Sequence, residues 1–211
     1  FDYIRYPENA RRFPDKDTHR KYGKGKDLKQ WRRDNITAIV RRLYHEVKQL
    51  KPWVKVSSSP VGKYRDTSRY SSVGWNAYET VHQDAQGWLK EGIHDALFPM
   101  MYFDGKHFYP FVLDWQENAC GRHIIPGIGA YRLLPEYGGW EQQEIMRQIC
   151  TSRSAGVAGT AMFRSAHLTS CAYDIYTTIY RTPALVPPMD WYDTKPDAPY
   201  ALSVNPVAAG G

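Results

Sequence analysis

The stretch ALFPMMYF at residues 96–103 is apolar almost throughout. Such a run is typical of a strand buried on both faces, as in a parallel sheet covered by helices. Further strands are predicted at residues 53–60, where a short strand runs into small polar residues, and at 123–131 and 157–163. Segments with helical spacing lie between these runs, and strands that alternate with helices predict a parallel α/β architecture.

The helices are predicted from apolar spacing and capping residues. The clearest begins after Asp27, a candidate N-cap, and ends at Lys51-Pro52. Others are predicted around residues 78–89 with Gly92 just past the end, from about Trp140 to near Gly156, and over residues 168–180. The first helix has one apolar face, formed by Ile36, Ile39, Val40, Leu43, Val47 and Leu50. Residues 8–26 have the composition of a long surface loop.

The two ends of the chain have contrasting compositions. The opening FDYIRYP predicts the end of a buried strand that runs into a loop at Pro7. We therefore expect residues upstream of Phe1 to contribute core and active-site groups. From Thr182 onward the chain is rich in Pro, Asp, Ala and Gly, which predicts one domain over residues 1–181 and a Pro-rich tail or linker over 182–211. Residues 197–204 resemble the opening strand of an immunoglobulin-like or fibronectin-like module.

The composition of the chain limits which classes of function it can have. The chain has 211 residues, 42% of them hydrophobic, which is enough for one domain with a core. The net charge of +6 (28 basic minus 22 acidic residues) is scattered between acids, and no common nucleic-acid motif occurs, so we expect no nucleic-acid partner. The three cysteines are dispersed, and we expect neither a metal nor a cofactor.

Polar and aromatic side chains stand at the ends of the predicted strands, where a parallel β/α barrel keeps its active site. They include neither a Ser-His-Asp order nor a glycine-rich phosphate loop, and the set resembles a sugar site. The strand-end residues are Asp2, Arg5, Tyr6, Ser58, Ser59, Tyr102, Asp104, Tyr131, Arg132, Arg164 and His167.

Sugar hydrolysis needs two carboxyl groups. Asp2 is the first candidate, because it lies at a strand end beside Arg5, whose charge would stabilise the ionised carboxylate. The alternative is an Asp2–Arg5 pair that only braces the loop. Asp104 is the second candidate, although a turn residue before Gly105 is the interpretation we favour for it. Glu136, or a Glu upstream of the chain, could also be the partner.

Substrate contacts are expected from Arg5, Tyr6 and Ser59 at the strand ends. Candidate stacking residues are Trp75, Tyr102, Trp115 and Tyr131, with core packing as the alternative for each. His107 either contacts substrate or forms a hydrogen bond within its own loop.

Several consecutive motifs resemble those of the glycosyl-hydrolase-like 10 family, and the match extends from Phe1 to about Tyr180. They are FDYIRYP (1–7), WRRDNI (31–36), KPWVKVS (51–57), SP (59–60), GWLKEG (87–92) and FPMMYF (98–103). The resemblance implies the C-terminal part of a (β/α)8 TIM barrel, from about strand 4, ending at Asp2, to helix 8. Where relatives often have Pro-Gln-hydrophobic-Tyr, this chain has Pro99-Met100-Met101-Tyr102, which removes a polar contact.

The resemblance also implies a secreted, periplasmic or cell-surface lipoprotein, with membrane contact only through an upstream lipid anchor. By similarity to a characterised branch, it implies hydrolysis of bacterial cell-wall glycan free of peptide, although some segments look closer to gut Bacteroidetes members. The leading hypothesis is thus a glycoside hydrolase acting on a polysaccharide. The alternatives are a non-catalytic carbohydrate-binding barrel at the cell surface and a binder of anionic polymers.

Overall fold

The computed structural model describes residues 1–71, 73–169 and 171–192. Its strands are β1 (Ser57–Ser58), β2 (Ala96–Leu97), β3 (Met100–Met101), β4 (His123–Ile124), β5 (Gly127–Ile128) and β6 (Ala161–Met162). Its helices are α1 (Lys16–Tyr22), α2 (Leu28–Leu50), α3 (Ala77–Thr80), α4 (Ala85–Glu91), α5 (Gly105–Glu117), α6 (Gln142–Ser154) and α7 (Ala172–Thr178). The segment 197–204, predicted to open a further module, lies outside the described residues.

Parallel pairing in chain order organises the strands. Isolated parallel bridges join Asp2 to Ser59 and Val61 to Met100. The named strands pair in two parallel sheets, β1-β2-β4 and β3-β5-β6. The predicted mixed α/β architecture with parallel strands is therefore confirmed.

Prolines divide two of the predicted strands. The run at 96–103 forms β2 and β3, separated by Phe98-Pro99, and the run at 123–131 forms β4 and β5, separated by Ile125-Pro126. Proline has no N–H for the sheet, but its carbonyl still accepts. Pro99 accepts from the Gly127 N–H at 2.8 Å and Pro126 from the Ala161 N–H at 3.0 Å. The direction of the strands thus continues across each break.

Helix α2 begins as predicted, with the Asp27 carboxylate accepting from the N–H groups of Lys29 and Gln30 at 3.0 and 3.3 Å. Its predicted apolar face is partly wrong, because Ile39 and Leu50 are 52% and 80% exposed. Val40 of the predicted face is buried, and Trp31, Arg32 and Arg33 are buried with it.

Two predictions between the strands need correction. Residues 8–26 are not a structureless loop, since they hold a short 3₁₀ helix (Ala10–Arg12) and α1. The helix predicted over 78–89 is two helices, α3 and α4. His82 interrupts it with a φ of 53°, and the Asp84 carboxylate caps α4 by accepting from the Gly87 N–H at 3.1 Å.

Helix α5 was not predicted. Asp104 caps it, and Pro110 lies inside it. A proline within an apolar run argues against a helix when only the sequence is considered, whereas here the buried face of Phe108, Phe111, Val112 and Trp115 packs into the main core.

A buried carboxylate holds the amino ends of the strands together. Asp95, directly before β2, is fully buried and accepts hydrogen bonds from Lys48 Nζ and the Val56 N–H, both at 2.7 Å. The Trp191 indole and Tyr192 hydroxyl also donate to it, at 2.9 and 2.8 Å. We call these five residues the Asp95 clasp. Through it, two residues of the predicted tail are fixed to the domain.

The ionisation of Asp95 follows from these contacts. Burial alone would raise the pKa of the carboxyl, but the hydrogen bonds from Lys48, Val56, Trp191 and Tyr192 outweigh it and lower the pKa below the usual value. The clasp therefore holds an ionised carboxylate at neutral pH. Within the part of the chain that the structure describes, no helix is both long and apolar enough to cross a membrane.

Candidate active site

Aromatic rings meet where three strands end. Tyr102 follows β3, and its ring stacks on Phe163, which follows β6, with centroids 5.3 Å apart. Tyr131, after β5, contacts Tyr102 edge-on at 5.8 Å. The absence of a side chain at Gly127 makes room for this cluster, because a Cβ there would lie 3.2 Å from the Tyr102 ring. Offset and edge-on pairs of this kind are favourable arrangements for aromatic rings.

A cleft of about 420 Å³ opens beside these rings. Four of the predicted contact residues line it together, namely Trp75, Tyr102, His107 and Tyr131. Trp75 comes from the loop before α3 and is 47% exposed, so its ring can stack on a ligand. The other lining residues are Val61, Gly62, Lys63, Val73, Met100, Phe103, Phe111 and Arg132.

The charged side chains that line the cleft are basic. Among the residues that the structure describes around the cleft, Lys63 and Arg132 are basic and none is a carboxylate. Arg132 was on the list of strand-end residues, and its Nε donates to the Tyr102 carbonyl at 3.3 Å. Lys63 was missed, because it lies in a loop whose sequence has no distinguishing pattern.

His107 is held between two partners at the edge of the cleft. Its Nδ1 is 3.0 Å from Asp104 Oδ1, and its Nε2 is 2.8 Å from the Tyr70 hydroxyl. Asp104 also caps α5 by accepting from the His107 N–H, so it stands at the start of a helix rather than in a turn before Gly105. The hydrogen bond from His107 lowers the pKa of Asp104, so this carboxylate is ionised at neutral pH.

Asp2 lies exposed at the end of the first strand segment and pairs there with Ser59. Its carboxylate accepts from the Tyr3 N–H at 2.8 Å. The nearby Tyr102 hydroxyl has a pKa raised to about 12, first by burial and then by the negative charge of Asp2. The Asp2 carboxylate therefore lies near enough to the aromatic cluster for its charge to act on Tyr102.

Arg5 does not pair with Asp2, which corrects the sequence-based expectation. Its ion pair is with Glu8, at 3.7 Å. Tyr3 has a φ of 52°, and this turn separates the two side chains. The Arg5 side chain is only 8% exposed, and its Nε and Nη1 have no hydrogen-bond partner within the described structure.

Trp115 and Tyr6 do not line the cleft. Trp115 is fully buried in the core, where its indole donates to the Gly62 carbonyl at 2.7 Å, so its ring is closed to any ligand. Tyr6 is half-buried and packs edge-on against Phe13 and His82, at 5.1 and 5.4 Å. Among the described residues, no group of three or more His, Cys, Asp or Glu side chains could hold a metal ion.

Comparison with known proteins agrees with this picture. Residues 1–129 match the sequence pattern of the family described as Glycosyl hydrolase-like 10. The chain belongs to the glycosyl hydrolase-like 10 family. The family predicted from the motifs is therefore confirmed.

Two relatives extend the similarity beyond the matched segment. This glycosyl hydrolase-like 10 chain is 30% identical over 227 residues to "Glycosyl hydrolase YngK" of Bacillus subtilis (strain 168), covering 97% of the chain and 44% of the relative. It is 31% identical over 188 residues to "Glycosyl hydrolase DigH" of Escherichia coli (strain K12), covering 79% of the chain and 42% of the relative. The chain thus spans less than half the length of these relatives.

Proposed function

We propose that the protein is a glycoside hydrolase that cleaves glycosidic bonds in a polysaccharide. The observation that carries the proposal is the aromatic cleft at the carboxyl ends of parallel strands, where Trp75, Tyr102 and Tyr131 offer ring faces and edges to a sugar chain. Family membership and the names of both relatives support it.

The proposed architecture is the part of a (β/α)8 barrel from about strand 4 to helix 8. Two features support it: the strands are parallel and follow one another in chain order, and helices connect them. In such a barrel the carboxyl ends of the strands form one face, which is the face that carries Asp2 and the cleft.

The proposed chemistry uses Asp2 as one of two carboxyl groups. One group must protonate the leaving oxygen, while the other attacks the anomeric carbon or activates water. Asp104 is unsuited to donate a proton, because the hydrogen bond from His107 lowers its pKa; as the second group it would serve as nucleophile or base. A further carboxyl group outside the described lining is the other candidate partner.

We extend the proposal to bacterial cell-wall glycan free of peptide as substrate, and to an exported or lipid-anchored location. Both rest on the family resemblance alone. Stacking of sugar faces on Trp75 and Tyr131 suits any extended glycan, so the substrate is decided by experiment.

One observation favours a second candidate, a non-catalytic glycan-binding protein. The described residues that line the cleft include no carboxylate, whereas hydrolysis needs two. A binder would need only the aromatic faces and the donors of Lys63 and Arg132.

The two candidates are separated by incubating the intact protein with peptide-free cell-wall glycan and with plant and host polysaccharides. New reducing ends and bound glycan are then measured on the same samples. Release of reducing ends from at least one glycan supports the hydrolase. Binding of a glycan without release of reducing ends, at every pH tested, overturns the hydrolase and supports the binder.

A further inference from the structure

A second groove, of about 760 Å³, adjoins the cleft, and Trp75 lines both. We call it the basic groove. Its lining combines four basic side chains with two acidic ones and His82. The lining residues are Glu8, Asn9, Ala10, Arg11, Arg12, Leu28, Lys29, Arg32, Gly74, Trp75, Glu79, Thr80 and His82.

The basic side chains of this groove differ in how they are neutralised. Lys29 pairs with Glu79 at 2.9 Å. Arg32 pairs with the buried Asp15 through two hydrogen bonds, at 2.9 and 2.6 Å. Arg11 and Arg12, exposed on the 3₁₀ helix Ala10–Arg12, have no ion pair with any residue in the described ranges. The uncompensated positive charge of the groove therefore resides on these two arginines.

His82 adds a buried donor that has no acceptor among the residues that the structure describes. It is 3% exposed, and its Nε2 lies 3.2 Å from Arg32 Nη1. Burial and the charge of Arg32 lower the pKa of His82 to about 4, so the ring is neutral at pH 7. Because a guanidinium can only donate, Nε2 is the acceptor and the proton is on Nδ1. That Nδ1 is buried with no hydrogen-bond partner among the described residues.

Arg5, beside Trp75, supplies further donors that have no partner among the described residues. Its guanidinium carbon lies 6.0 Å from the Trp75 ring centroid, and its Nε and Nη1 are buried without a partner in the described structure. Buried donors without acceptors are costly and are usually satisfied in the working state of a protein. Donors in excess of acceptors, together with a net positive charge, fit a ligand that carries negatively charged oxygens.

We propose that the basic groove is a subsite for a carboxylate-bearing sugar unit, next to a unit that stacks on Trp75. The planar forks of Arg11 and Arg12 match a carboxylate through paired hydrogen bonds. This inference rests on the proposed glycan-processing function and names the chemical class of its substrate. It assigns the cleft to the reacting unit and the groove to recognition of an acidic neighbour.

The test compares a carboxylated glycan with its neutral counterpart. Oligosaccharides of peptide-free cell-wall glycan carry carboxylates on their muramic acid units, and reduction of those groups to alcohols removes the charge while the sugar backbone is kept. Binding is measured by calorimetry to the intact protein in the Asp2→Asn background, so that no turnover interferes. We expect the carboxylated form to bind about 10-fold more tightly or better, as charge-assisted paired hydrogen bonds would give.

The arginines are tested by the double variant Arg11→Gln/Arg12→Gln. The matched control is Arg20→Gln on α1, an arginine that is 80% exposed and lies outside the groove lining. We expect the double variant to lose the preference for the carboxylated form while its affinity for the reduced form is unchanged. The control should retain the preference.

The inference is overturned if the Asp2→Asn protein binds both forms equally, or if the double variant keeps the preference. In either case the glycan-processing proposal survives, because the reduced form is still bound. Failure of the intact protein to bind or cleave any form contradicts the proposed function itself. Circular dichroism of each variant excludes loss of fold as the cause.

Discussion

The guanidinium carbon of Arg5 lies 6.0 Å from the centroid of the Trp75 ring, although the two residues come from different loops. Arg5 follows the first strand segment, and Trp75 precedes α3. Trp75 also lines both the cleft and the basic groove. A sugar chain that occupies both would therefore contact this ring.

Replacing Trp75 should weaken substrate binding more than it affects chemistry. We expect Trp75→Ala to raise KM for a glycan about 10-fold, equivalent to about 1.4 kcal/mol, because a stacking face is lost. The matched control is Trp53→Ala, since Trp53 is 67% exposed and lies outside both cavities. An equal change in KM for both variants would show that Trp75 makes no substrate contact.

Asp2 should be required for hydrolysis and dispensable for folding. We expect Asp2→Asn to lower kcat by about 100-fold or more, the usual range for loss of a general acid or base, with an unchanged melting temperature because the side chain is exposed. Asp17→Asn on α1 is the control, because within the described residues Asp17 forms an ion pair with the exposed Arg20 alone. If the Asp2→Asn variant releases reducing ends as fast as the parent, the catalytic role of Asp2 is wrong.

Asp95 should contribute to stability rather than to activity. We expect Asp95→Asn to lower the free energy of unfolding by about 3 to 5 kcal/mol, because Lys48 then loses the charge that balances it. Urea denaturation at pH 7 measures this. Glu46→Gln, which breaks only the exposed pair with Arg42, should change it by less than about 1 kcal/mol.

The contribution of Asp95 also has a defined dependence on pH. Since its folded pKa is lowered, the stabilisation is complete above the unfolded pKa of about 3.9 and is lost as pH falls through the lower folded value. The free energy of unfolding, measured from about pH 5 to about pH 2, should therefore depend less steeply on pH in Asp95→Asn than in the parent. Parallel curves would contradict an ionised, clasped Asp95.

His94 should produce a second pH dependence, at higher pH. It is fully buried beside Ser58, and burial lowers its pKa to about 4. In the unfolded chain it binds a proton near about pH 6.5, so stability should fall as pH drops from about 6.5 to about 4. His94→Gln should flatten this slope, and the exposed His45→Gln should not. Burial also lowers the pKa of His82 to about 4. Part of the pH dependence should therefore remain in the His94→Gln variant.

The sequence predicted what local patterns determine. The apolar run at 96–103 predicted strands, because a segment buried on both faces is apolar throughout. Asp27 predicted the start of α2, because a capping residue directly precedes the helix that it caps. Prediction from the sequence failed where a contact between distant residues determines the structure. Helix α5 was not predicted because Pro110 lies inside it, and nothing in the sequence shows that Trp115 is buried against the Gly62 carbonyl.

The candidate site divides in the same way. Tyr102 directly follows β3 and Tyr131 comes three residues after β5, so both were found from the apolar runs that precede them. The basic groove was not, since it depends on pairs such as Arg32 and His82, which are 50 residues apart and meet through a left-handed backbone turn at His82. The pairing of Arg5 with Glu8 rather than Asp2 likewise depends on the turn at Tyr3.

The Asp95 clasp has a consequence for synthesis. Asp95 and Tyr192 are 97 residues apart, so at roughly 5 to 20 residues per second the ribosome needs several seconds to add the partners that Asp95 lacks. During that interval the Asp95 carboxylate has Lys48, the Val56 N–H, the Tyr44 hydroxyl and then Arg122 beside it, but not the two donors of Trp191 and Tyr192. The nascent domain should therefore remain open at this end, and vulnerable to proteases, until Trp191 and Tyr192 have emerged.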